Sequence, residues 1–397
     1  MEHHSKTSTV TCVAPVNIAV IKYWGKRDDE LILPINDSIS ASLDIEQLCA
    51  KTTVMTSPDF ENDRIWLNGR EASMDNKRLQ NCLLEAKNKS ALSKDEMKSW
   101  KVHICSVNNF PTAAGLASSA AGYACLSVAL AKLFKYEGNV SALARIGSGS
   151  ACRSTYGGFV RWYMGEKPTG ADSVAKQIVP SSYWPEMRIL ILVTSEDKKA
   201  VSSAIAMKRG VETSEFLKYR AKSIVPKRVE EMERAIMEKN FVRFAELTMK
   251  DSNSFHAVAV DTFPPCHYLN DASRAIIDLV HAYNSAIGST RIAYTNDAGP
   301  NTVLYLLEED VPRVISVIQH FLPPAIEQAP YHQEKYFRGE KIIPAELSQN
   351  YLLNIPFSVQ SAGLLKYIIY TRIGDGPKYL DDPNQHLLDN RGFPIIP

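Results

Sequence analysis

After a polar start, Ser8–Val13 alternates hydroxyl-bearing and apolar side chains with period two, the pattern of a half-buried strand. Similar short runs predict strands at Lys51–Thr56, Ile65–Leu67, Lys101–Ser106 and Gly158–Tyr163. Small residues from about Leu116 to Phe134 predict a long helix whose alanine-rich face can lie close against a sheet. A second helix is expected at Val140–Ile146, ahead of a Gly-Ser-rich turn at Gly147–Ser150. Further on, Ile189–Val193 is a continuous apolar run suited to a buried strand. Lys227–Lys239 and Phe241–Met249 carry helical periodicity, with Pro226 just before the first, and Asp251–Ala257 (DSNSFHA) reads as a helix end. Asp271–Ala286 is another helix. Ile292–Thr295 and Thr302–Leu307 bracket a turn and predict a hairpin. Val311–Phe321 is amphipathic, with Pro312 in its first turn, and Tyr367–Arg372 is a late strand.

Strands and helices mixed without regular βαβ alternation favour an α+β fold over a doubly wound sheet. The 397 residues suit two or three domains with a sizeable core. The pattern divides the chain into units 1–190 and 191–397, with the boundary near 185–200. Phe321–Pro344 is rich in Pro, Gln, Glu and Lys and reads as an insertion or surface loop; Asp375–Pro397 reads as a tail with little regular structure.

Charge narrows the function. With 45 basic and 44 acidic residues the formal net charge is +1, which gives no reason to expect nucleic-acid or membrane binding. An anionic ligand must therefore be held by a local cluster. The seven cysteines are scattered and form no C-x-x-C pair, so reduced, buried thiols are expected rather than disulfides or zinc. The polar N-terminus lacks an apolar signal core, and Ile189–Val193 is far too short to span a bilayer. A cytoplasmic enzyme is the expectation.

Four segments carry candidate chemistry. In Asn109–Gly122 (NFPTAAGLASSAAG), a turn at Pro111 leads through small residues into a helix, whose unpaired N–H groups and partial positive charge suit a phosphate. Ser118 and Ser119 are placed to meet a phosphate oxygen or magnesium. The segment is neither a Walker A loop nor a G-x-G-x-x-G turn, and its composition alone equally suits a closely packed helix. In Ala14–Lys26 (APVNIAVIKYWGK), Lys22, Lys26, Tyr23 and the Asn17 amide can serve an anion if the chain bends into a cleft. In isolation the segment reads more readily as a charged strand end anchored by Tyr23 and Trp24. Gly147–Arg153 (GSGSACR) offers the Ser148 and Ser150 hydroxyls and the planar fork of Arg153, which suits a carboxylate; a flexible turn is the plainer alternative. Asp297 lies in Tyr294–Asn301 (YTNDAGPN), which is also ordinary turn chemistry, and His256 alone is more often structural than a base.

Together these blocks resemble the mevalonate diphosphate decarboxylases of the GHMP kinase superfamily, across roughly Val10 to Gly376. The likeness rests on Ala14–Lys26, the L-P-x-N-x-S-I-S run at Leu33–Ser40, Asn108–Ala121, G-S-G-S-A-C-R-S at Gly147–Ser154, Val201–Ser203, Asp251–Ala257 and D-A-G-P-N at Asp297–Asn301. The combination of K-Y-W-G-K with G-S-G-S-A-C-R separates these decarboxylases from ordinary superfamily kinases. The resemblance implies a ribosomal-protein-S5-like N-terminal domain against a ferredoxin-like C-terminal domain, with the active site between them and a homodimer as the common assembly. It implies that Arg153, helped by Asn17, holds the carboxylate of mevalonate 5-diphosphate. The diphosphate would lie near Tyr23, Lys26, Ser148, Ser150 and Ser203. ATP phosphates would lie on Ala113, Ala114, Gly115, Leu116, Ala117, Ser118 and Ser119, with Ser119 also near Mg2+. Asp297 would sit beside the tertiary hydroxyl, and Lys22 would stabilise Asp297 or assist the phosphoryl group. One departure is Asp37, which stands where the family has a small hydroxyl residue; its added negative charge is expected to alter the nucleotide side of the pocket. A kinase that stops at phosphorylation, an enzyme acting on the monophosphate and a non-catalytic sensor are the rival readings. Intact Lys22, Arg153 and Asp297 oppose the last.

Overall fold

The structure, a computed structural model, describes residues 7–93, 97, 100–110, 118–197, 199–325 and 336–395. Among the described residues its N-terminal part contains two large sheets and a short antiparallel pairing of Lys26–Asp28 with Leu33–Pro34. The six-stranded one runs Lys378–Tyr379, Ser8–Pro15, Cys49–Ser57, Lys101–Asn108, Arg64–Leu67, Arg70–Ala72. The four-stranded one runs Ala175–Val179, Phe159–Trp162, Ser38–Ser42, Asn17–Ile21. The helix Ser118–Leu133 packs on Ser8–Pro15 and Cys49–Ser57, and its fully buried Ala121, Ala124 and Ala129 explain the close fit. Asn139 starts the helix Val140–Gly147, its side-chain oxygen accepting the N–H groups of Ser141 at 2.9 Å and Ala142 at 3.2 Å.

The C-terminal part is built on a five-stranded sheet, ordered Ile292–Asn296, Thr302–Leu307, Met187–Val193, Tyr367–Arg372, Phe337–Gly339. Met187–Val193 is buried at every position because it has neighbours on both edges and packed side chains on both faces. The predicted hairpin forms, with Ile292 opposite Leu306 and Asn296 opposite Thr302. The helix Phe241–Asp261 packs on both Ile292–Asn296 and Asn17–Ile21, so one rod touches both parts of the molecule. A buried hydrogen bond from the Tyr305 hydroxyl to the Ile18 carbonyl, 3.1 Å, adds a second link.

Several expectations are corrected. Asp251–Ala257 does not end a helix; the helix runs on to Asp261, because Phe255, Val258 and Ala259 continue its buried stripe. Residues 326–335 of the expected insertion lie outside the described residues, but Phe337–Gly339 pairs in parallel with Tyr367–Arg372 and Tyr336 is buried. That end is therefore part of the sheet. The Gly-Ser-rich turn becomes a buried 3-10 helix, Gly149–Thr155. The tail contributes Lys378–Tyr379 to the first sheet, and Leu388 packs with Met55, Trp66 and Cys105.

Asp37 also has a different role from the one expected. Its carboxylate accepts Arg161 Nη2 at 2.7 Å and the Met164 N–H at 2.7 Å, while Arg161 Nη1 reaches Glu233 at 2.7 Å. It joins the strand Phe159–Trp162 to the helix Val225–Met237 and does not line the central cleft. Asp37→Ser is expected to leave the KM for ATP within about twofold. It should lower the free energy of unfolding by about 1–2 kcal/mol, measured by urea titration.

Candidate active site

A cavity of about 370 Å³ opens between the two parts and, among the described residues, is lined by Lys22, Lys26, Arg78, Arg153 and Lys199 but by only one carboxylate, Asp297. Five cationic groups around one acid make a receptor for a strongly anionic ligand.

Arg153 forms one wall. The 3-10 helix buries it to 3 % exposure. Its guanidinium donates to Ser40 Oγ at 2.9 Å, Ser38 Oγ at 2.6 Å and Asn17 Oδ1 at 3.1 Å. All three acceptors are neutral, and no ion pair to a carboxylate forms among the described residues. Burial lowers the pKa of this guanidinium, which the nearby Cys152 and Asp297 partly offset. A desolvated, oriented cation held only by neutral groups suits an incoming carboxylate or phosphate. Asn17 is locked too, its Nδ2 donating to the Ser150 carbonyl at 3.0 Å and to Ser154 Oγ at 2.7 Å. Its amide therefore orients Arg153.

Lys22 Nζ donates to Asp297 Oδ1 at 2.6 Å, with 3 % and 31 % of the two side chains exposed. Lys22 follows the strand Asn17–Ile21 and Asp297 follows Ile292–Asn296, so the pair closes the gap between two strand ends. Tyr23 packs edge-on against Trp162, ring centres 4.7 Å apart. This requires glycine at 149, where a Cβ would stand 2.9 Å from the Tyr23 hydroxyl and from the Trp162 ring. Burial raises the Tyr23 pKa and keeps the phenol protonated as a donor. Lys26 is paired with Asp29. Ser119 Oγ and Ser148 Oγ face each other at 3.5 Å, and Ser150 and Ser203 complete the lining. Thus Asn17, Lys22, Tyr23, Lys26, Ser119, Ser148, Ser150, Arg153, Ser203 and Asp297 all meet in one cleft. Ala113, Ala114, Gly115, Leu116 and Ala117 lie outside the described residues, as does the Ser118 side chain.

Four contributors escaped the sequence reading. Ser38 and Ser40 sit in the Leu33–Ser40 run but carried no assigned role. Arg78 gave no signal beyond its charge. Lys199 Nζ donates to Ser203 Oγ at 2.9 Å and to the Ala298 carbonyl at 3.3 Å. Desolvation lowers its pKa against the pull of Asp297, as expected of an ammonium awaiting an anion. Its charge two residues from V-S-S was the only clue in the chain.

Residues 14–175 match the family model of the diphosphomevalonate decarboxylase-like N-terminal domain, and residues 189–380 match that of the mevalonate 5-diphosphate decarboxylase C-terminal domain. The chain is 53% identical over 390 residues to the diphosphomevalonate decarboxylase of Danio rerio, covering 97% of this chain and 96% of that one. It superimposes on the mevalonate diphosphate decarboxylase of Trypanosoma brucei with a TM-score of 0.89 at 39% identity, covering 96% of this chain and 100% of that one. It also resembles MDDEF in complex with MVAPP, AMPPCP and magnesium, with a TM-score of 0.71, 29% identity, and 95% and 100% coverage.

Proposed function

This chain belongs to the diphosphomevalonate decarboxylase family and is an ATP-using carboxy-lyase of isoprenoid synthesis, and from that premise we propose that Asp297, Lys22 and Arg153 carry the chemistry in its cleft. The observation that carries this reading is that, among the described residues, a single carboxylate lines the cleft with five cations and is held on Lys22 at 2.6 Å.

The diphosphate of mevalonate 5-diphosphate lies near Tyr23, Lys26, Ser148, Ser150 and Ser203, and its carboxylate lies on Arg153. ATP phosphates lie on 113–119. Asp297 orients the tertiary hydroxyl and accepts its proton late in transfer of the γ-phosphoryl group, since a tertiary alcohol is far less acidic than a carboxylic acid. Phosphate then leaves with the C–O bonding pair and takes the proton held by Asp297, and the restored Asp297 carboxylate stabilises the cationic carbon. The bond to the carboxylate carbon breaks, and its electron pair becomes the new double bond as carbon dioxide departs. Isopentenyl diphosphate, ADP, phosphate and carbon dioxide result.

Among the described residues no cluster of three or more His, Cys, Asp or Glu side chains could hold a metal ion. The Ser119 hydroxyl at the cleft fits a magnesium ion carried in on nucleotide phosphates. Bound there, the ion would neutralise phosphate charge.

The same reading keeps units 1–190 and 191–397, supported by family models that meet between residues 175 and 189. It also includes a cytoplasmic homodimer. Seven free, buried cysteines support a reducing compartment. Phe216, Tyr219 and Phe263, exposed around one short helix, support a self-association face. No helix among the described residues is long and apolar enough to cross a membrane.

The deciding assay mixes purified protein, ATP, magnesium and carboxyl-labelled mevalonate 5-diphosphate. Labelled carbon dioxide is expected to appear in step with ADP. ADP formation with the label retained would instead establish a kinase, and faster reaction of the monophosphate would displace the diphosphate as substrate.

A further inference from the structure

The segment Asp251–His256 takes no part in these roles, yet it grips the chain on both sides of the Lys22–Asp297 pair. Asp251 is fully buried, and its Oδ2 accepts the backbone N–H of Lys22 at 2.7 Å and Arg220 Nη2 at 2.7 Å. Its Oδ1 accepts Arg228 Nη1 at 3.0 Å. Arg220 Nη2 turns back to the Lys22 carbonyl at 3.3 Å, and Arg220 Nε donates to Ser254 Oγ at 3.1 Å. On the other side, Ser252 Oγ accepts the Asn296 N–H at 3.1 Å. His256 Nε2 lies 3.3 Å from the Asn296 carbonyl. Desolvation, followed by the charge of Lys22, lowers the His256 pKa to about 4, so its ring is neutral near pH 7. Since a carbonyl only accepts, Nε2 carries the proton in this contact.

Lys22 lies just past the end of Asn17–Ile21, and Asn296 is the last residue of its strand, directly before Asp297. The sheet ladders stop holding the backbone at these two points. Ser252 and His256 are one helical turn apart on one face, and together they take both backbone polar groups of Asn296. Asp251, next to Ser252, takes Lys22. A buried carboxylate with two arginines is weak evidence for stability, because desolvation offsets most of the attraction. It is well suited to holding a backbone in register.

We propose that Asp251, Ser252 and His256 are positioning residues, and that this one helix sets the distance between the Lys22 ammonium and the Asp297 carboxylate. The proposal rests on the reading that those two groups act together in turnover.

The test measures labelled carbon dioxide release by full-length enzyme carrying Ser252→Ala, His256→Ala, His256→Gln or Asp251→Asn. Each is made in the wild-type and the Lys22→Met background and assayed below its own unfolding temperature. Ser252→Ala and His256→Ala are expected to lower kcat by about 10- to 100-fold, with both KM values within about threefold, since a misplacement of ~1 Å costs about that much. His256→Gln, whose amide nitrogen can replace Nε2, should recover most of the loss. In the Lys22→Met background the loss from Asp251→Asn should shrink to less than about threefold. The Ser252 and His256 variants decide the question whether or not Asp251→Asn folds.

Folded Ser252 and His256 variants with normal kcat would overturn the proposal. So would a His256→Gln enzyme as slow as His256→Ala, or an Asp251→Asn loss of equal size in both backgrounds. If Lys22→Met and Asp297→Ala themselves turn over normally, the role assignment fails and takes the proposal with it. If those two are crippled while the helix variants are not, the proposal alone fails.

Discussion

Asp297→Ala is expected to lower turnover by at least about 10³-fold while ATP and mevalonate 5-diphosphate still bind. Three contributions disappear together. The proton of the tertiary hydroxyl loses its acceptor, a role worth typically about 10²–10⁴-fold. The cationic carbon loses the facing carboxylate, comparable to removing one preorganised electrostatic group at about 10²–10³-fold. Lys22, 3 % exposed and 2.6 Å from Asp297, loses its partner. The first two act on successive steps, of which only the slower sets turnover, so they will not multiply. Binding should persist because the five cations lining the cleft are untouched. Single-turnover release of labelled carbon dioxide, alongside calorimetric titration of each substrate, checks both halves. Turnover near that of the wild type would remove Asp297 from the mechanism.

Arg153→Met is the second large effect. Methionine fills much of the volume but leaves Ser38, Ser40 and Asn17 facing an apolar chain where the guanidinium had met all three. Losing one member of a buried, hydrogen-bonded charge pair costs about 2–5 kcal/mol, so kcat/KM for mevalonate 5-diphosphate should fall by about 30- to 4,000-fold. The KM for ATP should change far less. Arg153→Lys should rescue little, since an ammonium cannot reproduce three donors spread over a planar fork. Unchanged substrate affinity together with unchanged turnover would show that the carboxylate lies elsewhere.

The sequence reading went furthest where one period dominates. Val311–Phe321 and Tyr367–Arg372 end as expected because apolar spacing and Pro312 act within a few residues of each other. It stopped too early at Asp251, because Asp-Ser-Asn-Ser is the composition of a helix end. Those polar side chains instead sit inside a long helix, satisfied by Lys22, Arg220, Tyr294 and Asn296 from other elements. The end of the supposed insertion failed likewise. Phe337–Gly339 is too short to announce a strand and becomes one by pairing with Tyr367–Arg372.

Taken alone, the order of residues determined the inventory of chemistry: a small-residue phosphate loop, two lysines around Tyr23 and Trp24, a glycine-serine run ending in arginine, and an aspartate in a hairpin turn. It determined the α+β class as well, since local periodicity is written into neighbouring positions. Only the tertiary structure decided that Lys22 and Asp297, 275 positions apart, share a hydrogen bond, and that Arg153 lies against Ser38 and Ser40. Such meetings depend on sheet order, strand register and the packing of one helix across both halves, and local propensity does not encode which distant backbones come to rest side by side.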